Sequence, residues 1–445
     1  MRRKIIAVLT SLWLIVAVAL LCRAGYAYYE VRETPADVLA KVPFAQETGN
    51  IAMSLATGKG FGSPTRRDTG PTAWLPPVYP LLIAGIFRVF GIFTLHALYA
   101  SAAMNILFST ATCVPIYFAA RRIAGSGPAA LAAWLWVFFP SAIVMPFQWI
   151  WETSLSALLA AMILWATLAL VESRRTRDWC AYGLLWGFSL LTNPALGAVL
   201  PFLLGWLACR HRRELNMRVR FARPALALGI AILCCVPWTI RNYAQFHRLI
   251  PLRSNFPFEL WLGNNEVFDP HSRDINARVT RYEQSRLYGQ LGETAFMRKK
   301  WNLATEFIRS HKRLELRLTE WRFMSFWLGS FRPPQDFAGA ELWLQVVLIL
   351  SFLTGVGSAI GIIVLWRARS PYAVPAASFI VMFPLVYYIT HASLRYRHPV
   401  DPIVLILTAA AIMGVKRKPR QAPRRPSTRP LLSRRNPEAD RSPRL

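Results

Sequence analysis

Glu47 sits where a carboxylate could do chemistry. It shares one side of a helical turn with Asn50 and Ser54, while Phe44, Ile51, Ala52 and Leu55 form the opposite, apolar side. That spacing predicts a helix lying flat on a membrane. A second acid, Glu152, opens a later apolar run. Arg241, Arg395 and Arg397 are the cations of interest, because a planar guanidinium can meet two phosphate oxygens at once. A carboxylate to take a proton and guanidiniums to hold a departing phosphate would serve group transfer. Each residue also has a plainer reading. Glu47 could be a solvated acid, Glu152 an acid that suits a helix dipole, and the arginines contacts to lipid headgroups.

The elements that must position these residues begin with the stretch 44–93. Gly58 and Gly60 can end the first helix by taking left-handed backbone angles, and Pro76, Pro77 and Pro80 lead into a second helix from Leu81 to about Phe93. That helix is too short to cross a bilayer, which takes about 20 apolar residues, and it carries Arg88. It is expected to dip into the membrane. Longer apolar runs at residues 5–21, 95–118, 128–147, 153–171, 179–192, 195–209, 225–240, 342–366, 371–389 and 402–415 make about ten expected spans. The run at 5–21 follows a basic flank and reads as an uncleaved first span; small residues near Gly25 and Ala27 are what a cleavable signal would need.

Charge then orients the chain. With the amino terminus inside, Arg121 and Arg122, the arginines at 174–177 and 210–223, Arg367, Arg369 and the tail from Lys416 all fall on the cytoplasmic side. The same rule splits 179–209 at Asn193-Pro194. Two long outer loops result, 23–94 and 241–341, the second ending in an expected interfacial helix from Glu293 to Phe326. One membrane domain, 1–415, and a basic, disordered tail, 416–445, complete the expected organisation. Trp149, Trp151, Trp238 and Trp366 are expected as interfacial anchors.

Composition agrees: 54% of the 445 residues are hydrophobic, the mean hydropathy is positive, and 17 are Trp, as in a polytopic membrane protein. The net charge of +29 would suggest nucleic acid in a soluble protein, but the Lys and Arg lie mainly in short loops and the tail, so membrane lipids are the expected partner and nucleic acid is not. The six cysteines lie in or beside apolar runs, with no disulfide framework or zinc spacing. No P-loop, dinucleotide fingerprint, His-Glu-x-x-His or Asp-x-Asp motif is present. The spans hold almost no ionisable groups, apart from His96 and terminal positions such as Glu341 and Asp401, which counts against an ion-coupled transporter.

Six motifs stand in order along the chain: Glu47 with Gly58-Lys-Gly60, Gly70-Pro-Thr-Ala-Trp74, Pro76-Pro-Val-Tyr-Pro80, Trp151-Glu-Thr153, Pro237-Trp-Thr-Ile-Arg-Asn242 and Arg395-Tyr-Arg-His-Pro399. In this order they resemble the GT-C integral-membrane glycosyltransferases. More narrowly the chain is similar, over 1–415, to bacterial glycosyltransferase family 39, related to protein O-mannosyltransferases and lipid A aminoarabinose transferases. The resemblance implies an all-α, GT-C-like bundle with interfacial helices in two long outer loops. It implies inverting transfer of a sugar from a polyprenyl phosphate to a lipid, glycan or protein acceptor on the periplasmic face of a bacterial inner membrane. Glu47 matches the family's base in the first outer loop and Glu152 its acid in the second. Gln46-Glu47 stands where the family commonly has Asp or an Asp-Glu pair, so Asp37 and Asp68 are alternative bases. Tyr79, Arg241, Asn242, Arg395, Arg397 and His398 are the implied substrate-binding residues. No cofactor is assigned, and a divalent metal is left open. A polyprenyl-linked glycan flippase or transporter is the alternative function.

Overall fold

The computed structural model describes residues 10–39, 44, 46–65, 67–210, 217–265, 283–329 and 342–415, and the chain is helical throughout these segments apart from loops and one isolated bridge, Gly62 to Pro71. The basic tail lies outside the described residues, as do residues 1–9. Twenty helices matter here: α1 Leu12–Glu33, α2 Gln46–Ala56, α3 Val78–Phe90, α4 Leu95–Ala111, α5 Cys113–Ala124, α6 Ser126–Phe138, α7 Pro140–Gln148, α8 Thr153–Leu170, α9 Thr176–Leu190, α10 Leu200–Arg210, α11 Met217–Phe246, α12 Phe256–Gly263, α13 Glu283–Leu291, α14 Glu293–Ser310, α15 Lys312–Leu328, α16 Leu342–Arg367, α17 Ala373–Met382, α18 Leu385–Ile389, α19 Leu394–Arg397 and α20 Asp401–Met413.

Among the described residues, five helical stretches are long and apolar enough to cross a membrane: Leu12–Glu33, Leu95–Ala124, Thr153–Leu170, Arg220–Phe246 and Leu344–Arg367. A sixth is the pair α6 and α7, bent by 42° where Phe139 takes extended angles ahead of Pro140. Val78–Phe90, Pro194–Arg210 and Ala373–Ile389 are shorter apolar helices. The expected spans at 179–192 and 402–415 are the 15-residue α9 and the 13-residue α20. The chain is a multi-pass membrane protein.

Two helix pairs show how the bundle closes. Gly183 and Gly187 of α9 face α11 so closely that an added Cβ would meet Ala227 O at 2.6 Å and Cys234 Cβ at 2.4 Å. Gly357 and Gly361 of α16 do the same against α20, where a Cβ at Gly361 would meet Leu407 O at 2.1 Å. Lipid offers no hydrophobic drive between helices, so backbone approach over a Gly-x-x-x-Gly step supplies van der Waals contact instead.

Two sequence expectations need correcting. The first helix does not end near Leu21 but runs to Glu33, carrying Arg23 fully buried within it. Arg23 donates to Ser109 Oγ at 2.8 Å and to Trp136 O at 3.1 Å, and Trp136 O lies in the last turn of α6, where the cap amide of Phe139 meets it only at 3.4 Å. A guanidinium is tolerated there because the break provides its acceptors. The expected interfacial helix over 293–326 is two helices, α14 and α15, separated at His311, which leaves helical angles. Trp149 and Trp151 line a cavity beside Arg395, and Trp149 is also 41% exposed. Other expectations hold: α2 ends at Gly58 and Gly60 with φ of +81° and +83°, and the chain breaks at Asn193-Pro194, where Asn193 caps a 3₁₀ turn.

Candidate active site

The ends of α2, α7, α8, α12, α18 and α19 meet around a cavity of about 400 Å³. Glu47, Glu152 and Arg395 all line it, joined by Arg253, Glu259 and His391. Aromatic walls come from Trp74, Trp149, Trp151, Phe258, Tyr387 and Tyr396.

The two expected acids are alike in being unoccupied by other side chains. No ion pair or side-chain hydrogen bond engages Glu47 or Glu152 among the described residues; each carboxylate is met by its own backbone amide. Burial pushes the Glu47 carboxyl up to about 7, its own amide and Arg395 pull the other way, and Glu259 and Glu152 add to the rise. Burial also raises Glu152, against Arg395 and Arg253. Glu152 precedes α8 without capping it through its side chain, so helix capping does not account for the carboxylate.

Glu259 differs. Burial opposes its charge, yet the hydrogen bond and charge of His391, with Arg253 and Arg395 nearby, outweigh burial and hold the carboxyl below its usual range. Its Oε2 lies 2.7 Å from His391 Nε2 and its Oε1 accepts from Asn255 Nδ2 at 2.8 Å. A carboxylate held at both oxygens is poorly placed to take a proton from a substrate.

The cations also divide. The Arg395 guanidinium carbon lies 3.5 Å from the Trp151 ring centre, 4.8 Å from that of Tyr396 and 5.4 Å from that of Trp149, and Nη2 donates to Tyr396 Oη at 2.8 Å. No carboxylate pairs with Arg395 among the described residues, so aromatic faces hold it in place while its charge stays available. Arg253, half-buried in the loop before α12, has neither an ion pair nor a side-chain hydrogen bond among the described residues.

The other expected residues stand behind this cavity. Arg241 donates to Thr72 O at 2.6 Å and Phe61 O at 2.5 Å and so pins the first long loop to α11, while Asn242 donates to Ile250 O at 2.9 Å and holds the chain that follows α11. Glu293 grips the same loop through Thr72 Oγ1 and the Ala73 amide, which fixes Trp74 in the cavity wall. Tyr79 is buried and donates to Asn105 Oδ1 at 3.1 Å. Arg397 is fully buried in an ion pair with Asp401 at 2.8 Å, and His398 is buried against the Trp136 ring. The structure therefore gives Arg241 and Arg397 protein acceptors in place of phosphate. Asp68 is exposed and paired with Lys59 at 2.8 Å, and Asp37 is exposed; neither lines the cavity. Among the described residues no group of three or more His, Cys, Asp or Glu is placed to hold a metal ion.

Arg253, Glu259 and His391 were not singled out from sequence. A signal existed for Glu259, a lone acid in the otherwise apolar Phe256–Gly263. Its position depends on Gly263, where an added Cβ would lie 1.8 Å from Thr390 O, so that α12 rests directly on the backbone next to His391. Arg322 reinforces that contact from α15, donating to Gly263 O and Asn264 Oδ1 at 2.8 Å each. Gly263→Ala is accordingly expected to cost about 1–3 kcal/mol by overpacking and to lower the melting temperature in detergent. Melting equal to wild type would show that α12 can move away freely.

The bundle has the GT-C fold of integral-membrane glycosyltransferases. Within that class, residues 75–240 match the family model described as dolichyl-phosphate-mannose-protein mannosyltransferase. The archaeal oligosaccharyltransferase AglB from Archaeoglobus fulgidus, solved with an inhibitory peptide and a dolichol-phosphate, superposes with a TM-score of 0.53 at 12% identity over 90% of this chain and 49% of that one. The present chain thus spans about half the length of that enzyme. ArnT from Cupriavidus metallidurans, bound to undecaprenyl phosphate, aligns at 13% identity over 90% of this chain and 77% of its own, with a TM-score of 0.40, too loose to bear on the fold. A sequence search among curated proteins finds no match.

Proposed function

We propose that this protein is an inverting glycosyltransferase that moves a sugar from a polyprenyl-phosphate-linked donor to a lipid, glycan or protein acceptor on the extracytoplasmic face of a membrane. One observation carries the reading: a single cavity presents two carboxylates that have no side-chain partner among the described residues, Glu47 and Glu152, beside two cations that pair with no acid among them, Arg253 and Arg395. The GT-C fold and the match over 75–240 support it, and the dolichol-phosphate in the AglB complex suggests the donor class. The gathering of basic loops on one side of the sequence topology argues for an outward-facing site, and the resemblance to bacterial glycosyltransferase family 39 for a bacterial inner membrane.

The chemistry needs little more. The acceptor oxygen attacks the anomeric carbon opposite the phosphate, which inverts that centre, and Glu47 takes the acceptor proton. The electron pair of the breaking carbon–oxygen bond leaves with the phosphate, which needs no general acid and is met by Arg395 and Arg253. Tryptophan faces around Arg395 exclude water and strengthen those contacts.

Turnover of a purified polyprenyl-phosphate sugar in detergent, followed as released polyprenyl phosphate, tests this directly. The pH profile is the sharper readout. The base must be ionised, and burial raises the Glu47 carboxyl to about 7, so kcat/KM should climb with pH and level off above about 7. Below that point it should fall about tenfold per pH unit. A flat profile through pH 7 would remove Glu47 from the role. Lipid scrambling in vesicles without sugar transfer would point to the flippase alternative.

A further inference from the structure

We propose that His391, held by Glu259, is the cavity's sensor of phosphate charge, gripping the monoester that leaves after transfer more strongly than the diester that enters. The inference rests on the reading above, that the cavity takes a polyprenyl-phosphate-linked sugar.

Transfer changes the charge on the phosphate. The bond from the anomeric carbon to the acceptor oxygen forms, the bond to the phosphate oxygen breaks, and the electron pair stays on the phosphate while the acceptor proton goes to Glu47. A diester with one negative charge becomes a monoester whose second ionisation lies near pH 6, so it carries close to two charges at neutral pH. Arg253 and Arg395 are permanent cations and attract both species. A group that answers the added charge must be able to gain a proton.

His391 is built for that. Its side chain is 11% exposed and lines the cavity, with Nε2 2.7 Å from Glu259 Oε2. An ionised carboxylate only accepts, so Nε2 carries the hydrogen in that bond. Asn255 holds the other oxygen of Glu259, and the ring edge of His391 stands against Tyr396, with centroids 5.2 Å apart. Nδ1 is left without a protein partner among the described residues, and it is not among the sealed-off buried atoms. As a neutral ring it would turn a lone pair toward a ligand oxygen. As an imidazolium, with Glu259 accepting at Nε2, it presents an N–H. The charged groups around the ring are Glu259, bonded to it, and across the same cavity the carboxylates Glu47 and Glu152 and the guanidiniums Arg253 and Arg395, and a dianionic phosphate held by the guanidiniums brings a second negative charge beside the ring. The same carboxylate fixes which nitrogen faces the ligand, as carboxylate–histidine pairs do elsewhere.

Binding of two probes to the purified full chain in detergent tests the proposal: farnesyl phosphate, a monoester, and farnesyl methyl phosphate, its diester. Wild type should prefer the monoester. His391→Gln should lose about 10- to 100-fold in affinity for the monoester, the worth of one charge-assisted hydrogen bond, and stay within about threefold for the diester. Glu259→Gln should shift selectivity in the same direction, because a neutral amide no longer supports the imidazolium; this holds as a test even where the histidine variant fails to fold. Parallel losses for both probes, or no loss, would overturn the proposal and leave the lipid-phosphate site standing. Wild type binding neither probe would overturn that reading as well.

Discussion

Glu47→Gln is expected to leave a folded, donor-binding protein whose transfer rate has fallen by about 10² to 10⁴, the usual cost of losing a general base. The amide keeps the shape of the side chain and loses the proton acceptor. Among the described residues no side-chain partner of Glu47 is disturbed by the change, since its carboxylate is met by its own backbone amide, so stability should move little. Asp68→Asn is the matched control: that acid is exposed and paired with Lys59, and its removal should leave turnover near wild type. Glu152→Gln is the informative competitor, because Glu152 shares the cavity and, among the described residues, has no side-chain partner either. Turnover of Glu47→Gln within about threefold of wild type at equal donor binding would exclude the assignment, given the size of general-base effects. If Glu152→Gln alone were inactive, the base would pass to the second loop.

Much of the architecture could be read from local chemistry, and the reasons for the exceptions are physical. Apolar runs mark helices well, and Gly58, Gly60 and Asn193-Pro194 mark breaks, because backbone angles are set within a few residues. Arg23 was placed in a loop because a charge ends an apolar count, yet the carbonyls that satisfy it come from the end of α6, over a hundred positions away: Trp136 O is 113 residues along. Arginine is the least legible residue for the same reason. A guanidinium looks alike in sequence whether its partner is a phosphate, a carbonyl or a tryptophan face, and Arg241, Arg397 and Arg395 turn out to contact peptide carbonyls, an ion-pair network and aromatic rings respectively. Glu47 and Glu152 were easier to single out because each stood in a motif next to its own element, and both line the cavity. His391 and Glu259 gain meaning only as a pair 132 residues apart, brought together by the backbone contact at Gly263.

The arginines also supply the largest expected effect on stability. Arg397→Ala should cost about 3–5 kcal/mol, because it leaves Asp401 as an uncompensated buried charge. Asp401 is 2% exposed and Arg397 fully buried, so water cannot replace the lost partner. The guanidinium also ties three helices together: Nη1 donates to Trp327 O at 2.7 Å and Ser351 O at 2.6 Å, and Nη2 to Thr354 Oγ1 at 2.7 Å. These contacts join the end of α15 to α16, while the ion pair with Asp401 reaches the first turn of α20. Loss of folded protein in detergent, seen as an early melting transition and a broadened size-exclusion peak, is the expected outcome. A double variant, Arg397→Met with Asp401→Leu, removes both charges and should recover much of the stability, as apolar replacements of buried pairs often do. Were Arg397 instead a phosphate ligand, Arg397→Ala would melt like wild type and fail only in donor binding. The contrast with Arg395 makes the separation clear, because Arg395 is held by ring faces and one tyrosine hydroxyl, and its removal leaves no buried acid unpaired.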